Sequence, residues 1–327
     1  MNNNNNIKPE YKKMSDSPYS PCLIEFDSGS ESALDYLYQH TREIENILSS
    51  AGAVLVRGGG FNNYQAVEKV SDLFFLEALK YNGEHYPVAE NTSVQRPVNY
   101  ANAEFLLWHN ENTFNHSFPA KAIFACELKA DVGGQTPIAD SREVLNNLDK
   151  EVREAFINKQ VMYVRKYESH DFLGVGWKTI FNTDDKQTVE RLCREKHMSF
   201  EWVDGDILIT RAVRPAVIEH PVSGELSWIN QVLHWHFHCL SPASQEDVKV
   251  MFEEERLYPR NCYFGDGSKI PNDYIDHIHA VYKQCQMQFD WQNGDLLLVD
   301  NVLKAHARNP YKGERKILVS FGDVITY

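Results

Sequence analysis

Apolar positions recur along this chain in two spacings, which predict a mixture of helices and strands. Helical spacing predicts helices over residues 31–50, 64–80, 141–159, 183–196, 242–257 and 271–285, with Ser141 as an N-cap. Short apolar runs that end at turn residues predict strands over 53–57, 118–128, 161–166, 200–210, 296–301 and 315–321. The many short strands, glycine turns and few helices favour a mainly β fold with helical layers.

The organisation along the chain is that of one folded unit. With 327 residues and 43% hydrophobic positions, the chain can bury a large core. Neither an internal repeat nor a linker rich in proline, glycine and serine divides it. We predict a single domain over residues 21–327. Residues 1–20, which begin with an Asn run in place of a secretory signal, are predicted to be a disordered tail.

Charge and cysteine content exclude several classes of protein. A net charge of −13 argues against a nucleic-acid partner, which requires a basic surface. The chain has no apolar run of about eighteen residues, so we expect no membrane partner. Six scattered cysteines without a C-x-x-C pair suit reduced thiols and a cytoplasmic location. The sequence does not indicate the oligomeric state.

A metal site is the chemistry that the residues suggest most strongly. His109 and Glu111 are two residues apart in an apparent strand, and would therefore lie on one face. His306 follows a buried apolar strand near the C-terminus. Two imidazoles and one carboxylate are the ligand set of non-haem Fe(II) oxygenases, and they leave one face of an octahedral ion open. We predict that these three residues bind iron and are catalytic.

A cationic anchor accompanies this ligand set. Arg315 begins the last predicted strand, and a hairpin return after His306 would bring its guanidinium back towards the metal. A planar guanidinium is suited to bidentate binding of a carboxylate. This pairing suggests an acidic cosubstrate that also chelates iron.

Several motifs together resemble one enzyme family. The chain is similar to the taurine dioxygenase-like (TauD/TfdA) Fe(II)/2-oxoglutarate oxygenases, and within them to the clavaminate synthase-like and SyrP-like amino-acid β-hydroxylases. The resemblance runs from about residue 50 to the C-terminus. The matching stretches are His109–Glu111, Gly133–Arg142, His220–Glu225, Trp228–Gln231, Tyr263–Ser268 and Gly294–Arg315.

The resemblance implies a fold, a reaction and roles for named residues. The fold would be a double-stranded β-helix (jelly roll, clavaminate synthase-like) flanked by α-helices. Fe(II), 2-oxoglutarate and O₂ would be the cofactor and cosubstrates, with Arg315 and Thr136 binding 2-oxoglutarate. Some relatives carry a second arginine at the position of Val319. Arg308 could take its place, although that assignment is loose.

The substrate is less well defined by the residues. The resemblance implies hydroxylation at the β-carbon of an amino acid, free or tethered to a peptidyl carrier protein, in nonribosomal peptide biosynthesis. Candidate substrate contacts are Asn112, Arg214, Asn230 and Gln231. Arg214 could equally be a structural ion-pair partner. A taurine-like sulfonate or carboxylate is the alternative substrate within the family.

Two further interpretations belong to other classes of protein. If His234–His238 forms a strand, three imidazoles would share one face and could bind zinc, although a polar strand face lining a cleft is the simpler interpretation. A non-catalytic jelly-roll binding protein is the other alternative. Related halogenases replace the triad carboxylate with a small residue, so Glu111 favours hydroxylation or desaturation over halogenation.

Overall fold

The computed structural model of the protein describes residues 11–27, 33–80, 85–98, 100–171 and 175–327. The helices are α1 (Ala33–Gln39), α2 (Thr41–Ala51), α3 (Tyr64–Phe74), α4 (Ser141–Asn147), α5 (Lys150–Lys159), α6 (Trp177–Phe181), α7 (Lys186–Glu195), α8 (Val232–Trp235), α9 (Pro242–Met251) and α10 (Asn272–Cys285). Short 3₁₀ turns cover Phe237–Cys239 and Glu255–Leu257.

The strands are mostly short. They are β1 (Tyr11–Lys13), β2 (Cys22–Glu25), β3 (Ala53–Arg57), β4 (Tyr86–Pro87), β5 (Gln95–Arg96), β6 (Leu106–His109), β7 (Ser117–Leu128), β8 (Val132–Gly133), β9 (Ile138–Asp140), β10 (Val161–Tyr167), β11 (Met198–Val203), β12 (Ile207–Arg214), β13 (Val217–Glu219), β14 (Leu226–Trp228), β15 (Arg260–Phe264), β16 (Gln286–Met287), β17 (Leu296–Asp300), β18 (Lys304–Arg308), β19 (Tyr311–Lys312) and β20 (Lys316–Thr326).

Two sheets enclose the centre of the protein. The large sheet has the strand order β1-β2-β3-β17-β7-β20-β5-β4, and the small sheet has the order β16-β9-β18-β6. The long strands β7 and β20 pair antiparallel inside the large sheet. Helices α1, α2 and α3 pack on the outer face of the large sheet, and α4, α5, α8 and α10 pack outside the small one. This arrangement confirms the predicted jelly roll with flanking helices.

Burial on both faces explains the continuous apolar runs in the central strands. Successive side chains of a strand point to opposite faces of its sheet. In β17, Leu296 and Leu298 therefore pack against the helical layer, whereas Leu297 and Val299 face the small sheet. Both sets are buried. The predicted strands over 53–57 and 296–301 are confirmed for this reason.

A third sheet, with the order β11-β12-β10-β15, lies outside the jelly roll. It corrects one predicted element, because the strand expected over 200–210 is a hairpin of β11 and β12. Asp204 and Gly205 form its turn with φ values of 49° and 76°. Asp-Gly is a favoured hairpin turn because both residues tolerate this left-handed backbone. The hairpin is therefore explained by a local turn pattern that apolar spacing alone does not reveal.

The predicted helices occur, but several are shorter than expected. The helix over 31–50 is divided at His40, and the helix over 141–159 is divided between Asn147 and Lys150. The N-cap of α4 is Asp140 and not Ser141, because the Asp140 carboxylate accepts hydrogen bonds from the Arg142 and Glu143 backbone N–H groups. The helix over 271–285 is confirmed as α10.

The predicted tail needs correction where it is described. Residues 1–10 of that range lie outside the described residues, but Tyr11–Lys13 forms β1 and pairs antiparallel with β2. Across the described ranges, no helix is long and apolar enough to cross a membrane. All six cysteines are free thiols.

Candidate metal centre and cosubstrate cavity

Two histidines face each other where β6 and β18 pair. His109 ends β6, and His306 lies in the middle of β18 as its partner in the antiparallel register. The two ring centroids are 4.4 Å apart, and both side chains are buried. Strand pairing therefore brings together two imidazoles that are widely separated along the chain.

Glu111 reaches the same place from a turn. Because β6 ends at His109, the prediction that His109 and Glu111 share a strand face was wrong. The next residue, Asn112, has a left-handed backbone with φ of 58°, which turns the chain. Glu111 Oε2 lies 3.8 Å from His306 Nε2. Ligand atoms of His109, Glu111 and His306 all lie within 4.8 Å of one another, the only such group found in the described residues.

The electrostatics of the two histidines suit metal binding. His109 Nδ1 lies 2.8 Å from the Leu107 carbonyl oxygen, so Nδ1–H donates and the lone pair of Nε2 remains available. Burial lowers the pKa of His109 to about 4, against a smaller opposing effect of the Leu107 hydrogen bond. Burial also lowers the pKa of His306 far below its usual value, assisted by His109. Both rings are therefore neutral near pH 7, as metal ligands must be.

Asn301 fixes the position of the carboxylate residue, although the sequence assigned it no role. Its Oδ1 accepts a hydrogen bond from the Glu111 N–H at 2.7 Å, and its Nδ2 donates to the Glu111 carbonyl at 3.1 Å. The preceding residue, Asp300, accepts hydrogen bonds from the Val302 and Leu303 N–H groups and so orders the turn before His306. The clue in the sequence was the pair Asp300-Asn301 at the end of a buried apolar strand.

A cavity of about 270 Å³ opens beside the three residues. Besides the triad, its wall includes Tyr100, Phe124, Thr136, Arg308, Arg315 and Val319. Phe124 packs against His306, with ring centroids 4.8 Å apart. Val319 occupies the place where the resemblance allows a second arginine, and the arginines that line this cavity are Arg96, Arg308 and Arg315.

Arg315 and Thr136 lie side by side in the cavity wall. Arg315 Nε donates to the Gly134 carbonyl at 3.0 Å, and another of its nitrogens lies 3.4 Å from Thr136 Oγ1. Trp291 Nε1 also donates to Thr136 Oγ1, at 3.0 Å. Since this oxygen accepts from two donors, its own O–H can donate to an anion. Burial lowers the pKa of Arg315 to about 10, with a further effect of Arg308, so the side chain remains cationic at pH 7.

The Gly-Gly turn permits this close packing. Gly133 and Gly134 both have φ of 74°, a left-handed backbone that side chains disfavour. A Cβ at Gly133 would lie 2.2 Å from the Pro310 carbonyl oxygen. A Cβ at Gly134 would lie 3.0 Å from Arg315 Cδ. The two glycines thus let the chain before Thr136 approach the guanidinium.

Arg308 has contacts that do not fit its loose assignment to the cosubstrate. Its guanidinium donates to the carbonyl oxygens of Tyr100, Ala101 and Glu104 at 3.1, 2.6 and 2.7 Å. It therefore holds the loop before β6 against β18. Arg308 is thus a structural clamp that also lines the cavity, and its contact with the cosubstrate stays a prediction.

The predicted substrate contacts are not in this cavity wall. Arg214 is buried and donates to the carbonyl oxygens of Lys196, Val213 and His197, so its role is structural. Asn230 bonds to Ala216 and Val232, and Gln231 donates to the Asn110 carbonyl at 2.9 Å. Asn112 lines a separate cavity of about 310 Å³.

The three histidines at 234–238 do not share a strand face: His234 lies in α8, His238 lies in the 3₁₀ turn that follows, and His236 is the extended residue between them. His238 Nε2 lies 2.9 Å from Asp276 Oδ1, and His236 Nδ1 accepts from the His238 N–H. His234 points elsewhere, with its ring centroid 5.1 Å from that of His109. The predicted strand was wrong, and with it the geometry on which the zinc alternative depended.

Several known proteins are similar to this chain over most of its length. The profile of the taurine catabolism dioxygenase TauD, TfdA family matches residues 18–321. The dapdiamide synthesis protein DdaC of Enterobacter agglomerans is 31% identical over 300 residues, which cover 91% of this chain and 90% of that protein. A clavaminate synthase-like protein of Arabidopsis thaliana is 29% identical over 292 residues, covering 85% and 83%.

Solved structures show the same fold at low identity. PvcB of Pseudomonas aeruginosa, an Fe, alpha-ketoglutarate dependent oxygenase from an isonitrile synthetic pathway, has a TM-score of 0.53 at 14% identity and covers 96% of this chain and 89% of that chain. A taurine dioxygenase from Burkholderia xenovorans also has a TM-score of 0.53 at 14% identity, with coverage of 98% and 95%.

Proposed function

Since the chain belongs to the TauD/TfdA family and is an Fe(II)/2-oxoglutarate-dependent dioxygenase, we propose that it hydroxylates the β-carbon of an amino acid in secondary metabolism. The amino acid would be free or tethered to a peptidyl carrier protein. The name of DdaC, a dapdiamide synthesis protein, supports a biosynthetic role. The isonitrile pathway named for PvcB points in the same direction, although only the fold relates PvcB to this chain.

The observation that carries the proposal is the position of the triad beside a cationic pocket. His109, Glu111 and His306 would hold the iron, and their burial keeps both imidazoles neutral. Arg315 would pair with the distal carboxylate of 2-oxoglutarate, and the Thr136 hydroxyl would donate a hydrogen bond to the cosubstrate. These segments come from distant parts of the sequence, which supports a single domain over residues 21–327.

The residues of this chain supply position and environment for the reaction. When bound, iron, 2-oxoglutarate and O₂ would together supply the oxidation of the C–H bond: one oxygen atom would enter the hydroxyl group of the product, the other would enter succinate, and carbon dioxide would be released. The protein holds the carboxylate ligand by its backbone, keeps the histidines unprotonated and surrounds them with apolar side chains such as Phe124. Glu111 fills the position that a small residue occupies in related halogenases, which supports hydroxylation.

Two accompanying expectations belong to this proposal. All six thiols are free, which supports a reducing cytoplasmic location. A peptidyl carrier protein would present the amino acid if the substrate is tethered.

Anaerobic absorbance tests the iron and cosubstrate assignments. Wild type with Fe(II) and 2-oxoglutarate should show a weak visible charge-transfer band, and His306→Ala should lose it. His277→Ala is the control, because His277 lies beside Asp149, outside the cavity wall. Equal bands in wild type and His306→Ala would reject the ligand assignment.

Succinate release tests the substrate class in a second step. Free amino acids and carrier-bound aminoacyl groups would be compared with the taurine-like sulfonates, and hydroxylated products identified by mass spectrometry. Turnover of an amino acid supports the proposal. Turnover of a sulfonate alone would leave the oxygenase assignment in place and reject the amino-acid substrate.

A further inference from the structure

Two stretches that resemble the family, His220–Glu225 and Trp228–Gln231, lie outside the wall of the cosubstrate cavity. His220–Glu225 is the loop of the hairpin that β13 and β14 form. The His220 N–H donates to the Glu225 carbonyl at 2.8 Å, which closes the loop. Trp228–Gln231 runs from the end of β14 to α8. Neither stretch supplies a metal ligand, but the chain from 217 to 231 contacts both segments that do.

His220 fixes the carboxylate of Asp300. Its Nε2 lies 2.9 Å from Asp300 Oδ2, and both residues are buried. His220 Nδ1 accepts the Ser223 N–H at 3.0 Å, so the proton of the neutral ring is on Nε2, which donates to Asp300. The other Asp300 oxygen accepts two backbone N–H groups of the turn that leads to His306. His220 therefore holds the residue that shapes this turn.

The hairpin contacts the same turn at a second place. Ser227 Oγ donates a hydrogen bond to the Val302 carbonyl, and both residues are buried. Ile229 and Val302 pack together with Phe118 in a small apolar cluster. The turn between β17 and β18 is thus held against the hairpin by hydrogen bonds and by apolar contact.

Gln231 holds the segment that carries the other two candidate ligands. Its Nε2 donates to the Asn110 carbonyl at 2.9 Å, and Asn110 lies between His109 and Glu111. Its Oε1 accepts from Trp235 Nε1 at 3.2 Å, so both ends of this buried amide are used inside the protein. The Gln231 amide therefore fixes the backbone between the two ligands.

These contacts determine how the two ligand-bearing segments lie relative to each other. Asn301 joins the turn before β18 to the turn after β6 directly. The chain from 217 to 231 joins the same two segments a second time, through different residues. A buried acceptor that loses its donor must shift or take up water, and groups outside the ligands orient the ligands. Loss of either contact should therefore disturb the spacing of the three ligands.

We propose that His220 and Gln231 are positioning residues of the iron site. His220 acts through Asp300, and Gln231 acts through the Asn110 carbonyl. Together they set the spacing of the three ligands without contacting the metal or the cosubstrate. The inference rests on the proposed function, because it takes the triad as the iron ligands. It gives Gln231 a role other than the substrate contact predicted from the sequence.

Anaerobic Fe(II) titration of folded variants tests this role. His220→Leu removes the donor to Asp300, and Gln231→Met removes the donor to the Asn110 carbonyl with little change in shape. We expect the Kd of Fe(II) to rise about 3- to 10-fold in each variant, less than for a group that contacts a ligand residue itself. The visible band of the protein with Fe(II) and 2-oxoglutarate should also shift, because the ligand geometry changes. His220→Gln should recover most of the affinity, since its amide can place an N–H near the position of Nε2.

Two matched variants control for the loss of a buried or half-buried hydrogen bond elsewhere. His238→Leu removes a histidine–aspartate contact of the same 2.9 Å length, from His238 Nε2 to Asp276 Oδ1. Gln245→Met removes an amide that donates to the carbonyls of His238 and Leu240. Both variants should keep the iron affinity and the visible band of wild type, because neither residue contacts a ligand-bearing segment.

The outcomes separate the positioning role from folding and from the oxygenase assignment. Wild-type iron affinity in His220→Leu and Gln231→Met, shown to be folded by circular dichroism, would overturn the proposal. An equal loss of affinity in the two control variants would overturn it as well. If His220→Leu does not fold, the comparison of Gln231→Met with Gln245→Met decides. Failure of wild type itself to bind Fe(II) would reject the proposed function, and the positioning role with it.

Discussion

Asn301 holds Glu111 by both of its backbone polar groups, the N–H and the carbonyl oxygen. The Asn301 amide accepts from the Glu111 N–H at 2.7 Å, and it donates to the Glu111 carbonyl at 3.1 Å and to the Pro119 carbonyl at 2.7 Å. Asn301 follows β17, and Glu111 lies in the turn after β6. One buried amide thus joins the strand that leads to His306 with the turn that presents the carboxylate.

Asn301→Ala should weaken iron binding and folding together. Loss of these hydrogen bonds inside the protein should lower the free energy of unfolding by roughly 2–4 kcal/mol. Iron affinity should fall about 10- to 100-fold, the usual cost of removing a group that orients a ligand. Urea unfolding and Fe(II) titration measure the two effects. The control is Asn147→Ala, since Asn147 is exposed and bonds only to the carbonyl of Glu143. Unchanged iron affinity in a folded Asn301→Ala protein would contradict the positioning role.

Trp291→Phe should weaken cosubstrate binding while iron binding is kept. The substitution retains an aromatic ring in the core but removes the indole N–H that bonds to Thr136 Oγ1. The threonine hydroxyl then loses one of the donors that fix its orientation. We expect the Kd of 2-oxoglutarate to rise roughly 3- to 10-fold, measured by anaerobic titration of the visible band. Trp202→Phe is the control, because Trp202 donates to Glu190 at 3.1 Å, outside the cavity wall. Equal shifts in both variants would reject the effect through Thr136.

We expect substitution of Arg315 to weaken cosubstrate binding and substitution of Arg308 to lower stability. Arg315→Gln should raise the Kd of 2-oxoglutarate about 10- to 100-fold, because a charged hydrogen-bonded pair is lost. Arg308→Gln should instead lower the free energy of unfolding by about 1–3 kcal/mol, since three backbone carbonyls lose their donors. Cosubstrate titration and urea unfolding of both variants decide the matter. A larger loss of cosubstrate affinity in Arg308→Gln than in Arg315→Gln would reverse these assignments.

His236 should make stability depend on pH between 4 and 6.5. Burial, assisted by the charge of His238, lowers the pKa of His236 to about 4, with Glu255 opposing the shift. The unfolded chain, with a histidine pKa of about 6.5, binds the proton more readily. The stabilising contribution is therefore complete above about pH 6.5 and is lost as the pH falls towards 4, at a cost of roughly 2 kcal/mol by pH 5.

Urea unfolding of metal-free protein at pH 7 and pH 5 checks this expectation. His236→Gln should lose about 1–2 kcal/mol less than wild type between these pH values. The other histidines are present in both proteins, so the difference isolates His236. Asn147→Ala, at an exposed residue that does not titrate, should show the pH dependence of wild type. Equal pH dependence in wild type and His236→Gln would show that this histidine does not contribute.

The sequence by itself determined the chemistry and the class of fold. His109, Glu111, His306, Thr136 and Arg315 could be named because their types and order along the chain are specific to this oxygenase family. The strands at 53–57 and 296–301 were predictable because burial on both faces leaves continuous apolar runs. These properties depend on local pattern and residue identity, which the sequence contains directly.

Only the tertiary structure decided which neighbours serve the site. Glu111 acts from a turn held by Asn301, Arg308 is a clamp, Arg214 is bound to backbone carbonyls, and His234 pairs with Arg260. These contacts join residues from separate elements of the fold. The sequence around each residue leaves several partners possible for its side chain. The choice is made when strands and helices pack, because buried donors and acceptors must then find partners across the fold.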